Sequence, residues 1–182
     1  MFLDFCMFFI ILYVQHKYLD MADLITFKIP TVNICREISL QHHLRFIISD
    51  PLFRSQPPII ISKFTLPKET HNVKGDGHCT YHAVCYSISG SEISFQKIKL
   101  LAADEIHENG NKYEFIRNDK LDELEHETRS LNPVDWGGEF QLIALSGKLH
   151  IPIYVFDRQL NIPQWVKMQI DTWPNFNPIQ VF

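Results

Sequence analysis

The spacing of apolar residues changes along the chain. Over residues 79–89, 95–106 and 139–149, apolar side chains recur at intervals of three or four, which is typical of helices. After residue 150 they are β-branched or aromatic, or they alternate with polar residues, which is typical of strands. Helices therefore precede a run of strands, and this order predicts an α+β or mixed α/β fold.

Turn and capping residues set the bounds of the predicted helices. A glycine-containing turn precedes Cys79, where the first helix begins, and Gly90 ends that helix. Asn109 and Gly110 end the second helix. A short acidic helix is expected over 119–128. The helix over 139–149 is apolar on more than one face, so we expect it to be central and buried.

Strands are predicted mainly in the last third of the chain. The segment 151–156 is β-branched and aromatic, and the segment 166–170 alternates apolar and polar residues as a half-buried strand does. Residues 178–182 predict one more strand, which is incomplete. Earlier in the chain, the isoleucines at 59–61 follow two prolines and indicate a further strand.

The chain divides into an N-terminal extension of unknown role, residues 1–65, and a domain over residues 66–182. Residues 1–14 are an apolar run, but a transmembrane helix needs about 20 residues, and the features of a signal peptide are missing. We interpret this run as an interfacial or spurious extension and Met21 as an alternative start of translation. N-terminal mass spectrometry of the native protein tests this interpretation.

Composition narrows the classes of function. Of the 182 residues, 46% are hydrophobic and 21% are charged, as in an ordinary globular protein. The net charge of -4 and the lack of a long basic run argue against nucleic-acid binding. The four cysteines form no CxxC, and the sequence has no phosphate loop and no HExxH, so we expect no disulfide framework, metal or cofactor. We expect a cytoplasmic monomer with free thiols and no transmembrane segment.

Cys79 is the candidate for nucleophilic chemistry. It follows a glycine-containing turn and begins a helix, so it faces the positive end of the helix dipole and the unpaired N–H groups of the first turn. Both favour a thiolate, and the same N–H groups can stabilise an oxyanion. The alternative is a small, buried and inert core cysteine. The turn and the helix alone leave both interpretations open.

Two blocks of sequence resemble one protease family. Residues 76–83, Asp-Gly-His-Cys-Thr-Tyr-His-Ala, resemble the nucleophile motif of ovarian-tumour-type (OTU) cysteine proteases. Residues 136–145, which begin Trp-Gly-Gly, and the strand over 153–155 resemble the family's second block. The blocks stand in the family's order and at about its distance, and the resemblance covers residues 66–182.

The resemblance implies a fold, an activity and partners. OTU domains are papain-like thiol proteases in which helices pack on a small central β-sheet, here with the last strands incomplete. They are deubiquitinases, which hydrolyse isopeptide or peptide bonds after the C-terminal glycine of ubiquitin or related modifiers. The implied partners are therefore ubiquitin, or a ubiquitin-like modifier, and ubiquitinated proteins.

The resemblance also implies roles for single residues. Cys79 matches the nucleophile, and Asp76 matches the acidic residue whose loop shapes the oxyanion hole. The oxyanion donors would be the backbone N–H groups of Cys79 and of the turn at Gly77 and His78. Trp136 and Gly137, in the second block, match a structural turn near the site without a catalytic role.

The sequence departs from the family at the general base. The family uses a histidine on a late strand, but no histidine follows His150 in this sequence. The simplest account is a truncated gene model or fragment. We expect His78 to point to solvent, His82 to be an ordinary surface residue and His150 to pack or cap. The remaining candidates are expected on the surface: His71, His107 and His126. Cys85 is expected in the core.

Three functions stay open at this point. The first is a deubiquitinase that attacks through Cys79. The second is a pseudo-enzyme that keeps the fold and binds ubiquitin without turnover. The third is a viral or mobile-element polyprotein protease of the same fold, for which a ubiquitin-independent peptide substrate would be diagnostic.

Overall fold

The structure, a computed structural model, describes residues 24–27, 32–47, 59–66, 71–113, 118–132, 135–157 and 162–168. Within these ranges the elements are, in chain order, β1 (Leu24–Phe27), α1 (Val32–Gln41), β2 (Ile59–Ser62), α2 (Cys79–Ser89), α3 (Phe95–Asn109), α4 (Asn118–Arg129), α5 (Glu139–Leu149), β3 (Ile153–Asp157) and β4 (Gln164–Met168). A 3-10 turn over Gly110–Tyr113 extends α3. The predicted α+β class is confirmed.

The helix bounds agree with the signals in the sequence. Gly90 takes the left-handed conformation, with φ of 73°, and its N–H donates to the carbonyl of Tyr86, which closes α2. His150 closes α5 in the same way with φ of 55°. His150 therefore caps the helix as expected, although it is not a glycine. The acidic helix predicted at 119–128 is α4.

One hydrophobic core lies between α2, α3, α5 and β3. Tyr81 and Ile88 of α2 meet Ile98 of α3 and Leu145 of α5, and all four side chains are fully enclosed. Most of α5 is buried around its circumference, because seven successive residues from Gln141 to Gly147 are inaccessible. The expectation of a central, buried helix over 139–149 is therefore confirmed. Burial of this apolar surface is the main force that fixes α2 in place.

The described strands form two antiparallel pairs. β1 pairs with β2, with Leu24 opposite Ser62, and β3 pairs with β4, with Ile153 opposite Met168. The second pair presents Phe156 and Trp165 to each other as an edge-to-face contact, with ring centroids 5.2 Å apart. Residues 166–168 of the strand predicted over 166–170 belong to β4, while residues 169–170 and the strand predicted over 178–182 lie outside the described residues.

The N-terminal part contains a helix that the proline-rich pattern did not predict. Ile38 of α1 and Leu44 after it belong to the same core cluster as α2. The N–H of Ile47 also donates to the carbonyl of Ser89, at 2.8 Å. The core thus includes residues on both sides of the boundary predicted at residue 65.

The segment after β2 is tied to the C-terminal strand pair. The N–H of Trp165 donates to the carbonyl of Lys63 at 2.8 Å, and its indole donates to the carbonyl of Thr65 at 2.9 Å. Among the described residues, no helix has the length and the hydrophobicity needed to cross a membrane.

Candidate active site

Cys79 is the first residue of α2, at the end that faces the glycine turn. His78 precedes it as the helix N-cap, and the carbonyl of His78 accepts the N–H groups of Tyr81 and His82 at 3.0 and 3.1 Å. The Cys79 side chain is 6% exposed. Cys79 therefore combines both features weighed above, because it is a buried cysteine and it stands at a helix N-terminus.

The other two cysteines that the structure describes lie within helices. Cys35 of α1 and Cys85 of α2 are both fully buried, which confirms the core position expected for Cys85. Burial raises the pKa of Cys35 to about 12. Burial likewise raises the pKa of Cys85 to about 11, although a hydrogen bond with Ser89 opposes the shift. Neither thiol is placed to ionise near neutral pH.

The turn before Cys79 is held by Asp76. Gly77 has φ of 88°, a conformation that favours glycine, and this lets the N–H of His78 turn back and donate to Oδ1 of Asp76 at 3.1 Å. Oδ2 of Asp76 accepts from Lys74 at 2.9 Å. In this arrangement the His78 N–H donates to Asp76, so it is not directed at a substrate oxygen as the oxyanion role implied by the resemblance would require.

Asp76 is a carboxylate anion over the whole neutral range. Burial acts to raise its pKa, but hydrogen bonds from Lys74 and from the His78 N–H, together with the charge of His82, outweigh burial and lower the pKa to about 2. The site therefore carries a negative charge within the turn that precedes Cys79.

His82 is buried, and the expectation that it lies on the surface is wrong. The residue is 3% exposed, and its ring stacks on Phe95, with ring centroids 4.1 Å apart. Nε2 lies 3.2 Å from Oδ2 of Asp76, and Nδ1 lies 3.2 Å from Oε2 of Glu92, although the Nδ1 contact is not aligned as a hydrogen bond. The helix carries His82 inward because almost every side of α2 is covered.

His78 is also buried, at 5% exposure, so the expectation that it points to solvent is wrong. Its Nδ1 lies 3.4 Å from Nζ of Lys99, a lysine of α3 that is only 1% exposed. Burial lowers the pKa of His78, and the charge of Lys99 lowers it further. Burial also lowers the pKa of Lys99, while the charge of Asp135 opposes that shift. An enclosed imidazole and an enclosed amine thus lie next to the start of α2.

The Trp136–Gly138 turn packs directly on the nucleophile helix. The hydroxyl of Thr80 donates to the carbonyl of Gly137 at 2.7 Å. A Cβ on Gly137 would lie 2.9 Å from Cζ of Tyr81, a distance that no relaxed structure tolerates. Position 137 therefore needs a glycine, because the turn lies too close to Tyr81 to leave room for a side chain. This agrees with the structural role that the family resemblance implies for Gly137. Trp136 beside it is 49% exposed.

The three histidines that were expected on the surface differ in their exposure. His107 is exposed and contacts Glu125, and His126 is exposed. His71 is half-buried, stacked on Tyr86 at 3.6 Å, with Nε2 3.0 Å from Oε1 of Glu92.

The sequence analysis did not identify Glu92 and Lys99, and it wrongly placed His78 and His82 on the surface. A usable signal existed for His82. A polar residue on a helix that is apolar on nearly all sides needs a polar partner, and only Asp76 and Glu92 offer carboxylates close to α2 in sequence. The described part of the chain contains no group of His, Cys, Asp and Glu side chains arranged to hold a metal ion.

Comparison with known proteins identifies the family of the chain. Searches of curated proteins and of solved structures gave no match. The family model described as OTU-like cysteine protease matches residues 74–173, a span that includes the Asp76 turn, Cys79 and the Trp136–Gly138 turn. Because this match covers more than half of the 182 residues, the chain belongs to the OTU-like cysteine protease family.

Proposed function

We propose that the chain acts on ubiquitin or a ubiquitin-like modifier, and that Cys79 is the nucleophile that cleaves the bond after the modifier's C-terminal glycine. One observation supports this most strongly. Cys79 is the first residue of α2 and directly follows the Asp76–His78 turn, within the span that matches the thiol protease family. This is where a helix N-terminus stabilises a thiolate.

The chemistry follows from that position. The Sγ thiolate of Cys79 attacks the carbonyl carbon of the terminal glycine, and the N–H groups at the start of α2 face the oxygen that becomes negative. The C–N bond then breaks, the departing amine takes up a proton, and a thioester remains on Cys79. Water adds to the thioester and releases the glycine carboxylate and the thiol.

Proton transfer to the amine needs a general acid, and no histidine of this sequence matches the family's position for that role. The attack of a preformed thiolate does not need this group. A suicide probe that stops at the covalent adduct therefore tests the nucleophile separately from turnover.

The test is labelling of the full chain with ubiquitin that carries a thiol-reactive group at its C-terminus, read as a mass increase of one ubiquitin. We expect labelling of the wild type and of Cys85→Ala, the matched control on the same helix. We expect none of Cys79→Ala. Circular dichroism verifies that all three are folded.

Failure of a folded wild type to label would contradict the proposal. Binding of unmodified ubiquitin by that unlabelled chain would indicate a pseudo-enzyme that recognises the modifier. Cleavage of peptides that lack ubiquitin would indicate the polyprotein protease.

A further inference from the structure

A buried histidine and a carboxylate connect the Asp76 turn to the helical core. Glu92 lies in the connection between α2 and α3, and its Oε2 accepts the backbone N–H of Lys74 at 3.0 Å. The same oxygen lies 3.2 Å from Nδ1 of His82, whose other nitrogen lies 3.2 Å from Asp76. We call Asp76, His82 and Glu92 the carboxylate–imidazole brace. It joins three chain segments that meet beside Cys79.

The brace places one imidazole between two carboxylates. The His82 side chain is 4% exposed, and the two carboxylates are each 25% exposed, so water screens the contacts only partly. Nε2 of the ring is within hydrogen-bond distance of Asp76, and Nδ1 faces Glu92 at close range without the alignment of a hydrogen bond. Phe95 covers the ring face at 4.1 Å and fixes the plane in which the ring lies.

Glu92 is also the residue on which the loop before the turn converges. Besides the Lys74 N–H, it contacts Nε2 of His71 through its other oxygen, at 3.0 Å. Lys74 reaches Asp76 in turn, at 2.9 Å. The contacts described here for His71 and Lys74 therefore lead to Glu92 or to the Asp76 carboxylate, and His82 lies between the two carboxylates.

We propose that Glu92 and His82 are positioning residues of this enzyme, which act through Asp76 to hold the turn at Gly77 and His78 in place beside the Cys79 thiolate. The inference rests on the proposed function for its meaning in catalysis. It assigns Glu92 and His82 no contact with the substrate. They raise the fraction of modifier-bound chains in which the turn is correctly placed for the reaction.

Two measurements on the full chain test the proposal. The first is hydrogen exchange of the His78 amide, which donates to Asp76 and touches neither Glu92 nor the side chain of His82. The second is labelling by the ubiquitin probe, resolved into a maximal rate and a half-saturating probe concentration. The variants are Glu92→Gln and His82→Gln. The matched control is Glu125→Gln, because Glu125 of α4 also contacts a histidine at 3.0 Å, but that histidine, His107, is exposed.

We expect both brace variants to speed exchange of the His78 amide by about ten-fold, the effect of losing one charge-assisted hydrogen bond. The maximal labelling rate should fall by a similar factor, about ten-fold on the same basis, while the half-saturating concentration stays unchanged. Glu125→Gln should change neither quantity. Amides in α5 should exchange as in the wild type in all variants.

The proposal is overturned if His78 exchanges at the wild-type rate in both variants, even when their melting temperatures fall. It is also overturned if exchange accelerates but the maximal labelling rate does not change. If the wild type itself does not label, the proposed function fails. The exchange data then still decide whether the brace holds the turn.

Discussion

The two ends of α2 give the same side chain opposite surroundings. Cys79 begins the helix beside an ionised carboxylate and a polar turn, whereas Cys85 lies six residues later among apolar side chains of the core. Burial raises the pKa of Cys85 to about 11. The two cysteines share a residue type and a helix and differ in their position relative to the helix start, and this difference is the basis on which we propose Cys79 rather than Cys85 as the nucleophile.

The two ends also differ in what they contribute to the fold. The core end supplies stability through Ile88, which is fully enclosed. The nucleophile end holds polar groups that are costly to bury and that need partners: His78, His82 and Lys99. Substitutions at the core end should therefore change stability, and those at the nucleophile end should also change reactivity.

The largest expected loss of stability is at the core end. Ile88→Ala removes three carbon atoms from a fully buried position in α2 and leaves a cavity, so the free energy of unfolding should fall by about 2–5 kcal/mol. Urea denaturation measures it. Ile88→Val is the control and should cost about 0.5–1.5 kcal/mol. Loss of probe labelling in the folded fraction of Ile88→Ala would contradict the division between the two ends.

A smaller loss is expected where the second motif packs on the helix start. Gly137→Ala would press a methyl group against the enclosed ring of Tyr81, so we expect a loss of about 1–3 kcal/mol in unfolding free energy. Gly138→Ala is the matched control, since its Cβ would meet only the Gln141 amide oxygen at 3.5 Å. Equal stability of the two variants would show that the close approach of Gly137 to α2 is wrong.

The third effect concerns the charge of Asp76. Its pKa is lowered from 3.8 to about 2 in the folded chain, so the ionised carboxylate stabilises the fold above about pH 4, and this contribution is lost as the pH falls toward 2. Asp76→Asn should lower the unfolding free energy at pH 7 by about 1–2 kcal/mol. It should also flatten the pH dependence of stability between pH 4 and pH 2.

The control for this charge is on the surface. Asp104→Asn breaks an exposed pair with Arg129, 2.9 Å apart, and should cost no more than about 1 kcal/mol. A pH profile of Asp76→Asn that parallels the wild type down to pH 2 would show that Asp76 is not ionised through the contacts described.

The helices of the domain were predictable because their signals are local. The glycine turn before Cys79, Gly90 after Ser89, and the apolar circumference of 139–149 are each visible within a few residues, and the structure confirms all three. Helix α1 was missed because prolines on either side of it suggested a lead-in without regular structure. Its packing depends on Ile38 meeting α2, a contact that no local pattern contains.

The surroundings of the nucleophile were less predictable, because they depend on contacts across the fold. Cys79 and Asp76 were found through their motif. Lys99 reaches His78 from 21 positions away and Glu92 reaches Lys74 from 18, so their roles appear only when α3 is placed beside α2. His78 and His82 looked like surface residues because the motif around them leaves their positions variable.

The most direct test of the account is the pH dependence of alkylation of each cysteine in the folded chain, followed by peptide mass spectrometry after brief exposure to iodoacetamide. We predict that Cys79 reacts with a midpoint below that of a free cysteine thiol, near pH 8.5. Cys85 and Cys35 should stay unmodified until the chain unfolds, as their pKa values near 11 and 12 require. A midpoint for Cys79 at or above that of a free thiol would contradict its assignment as the activated nucleophile.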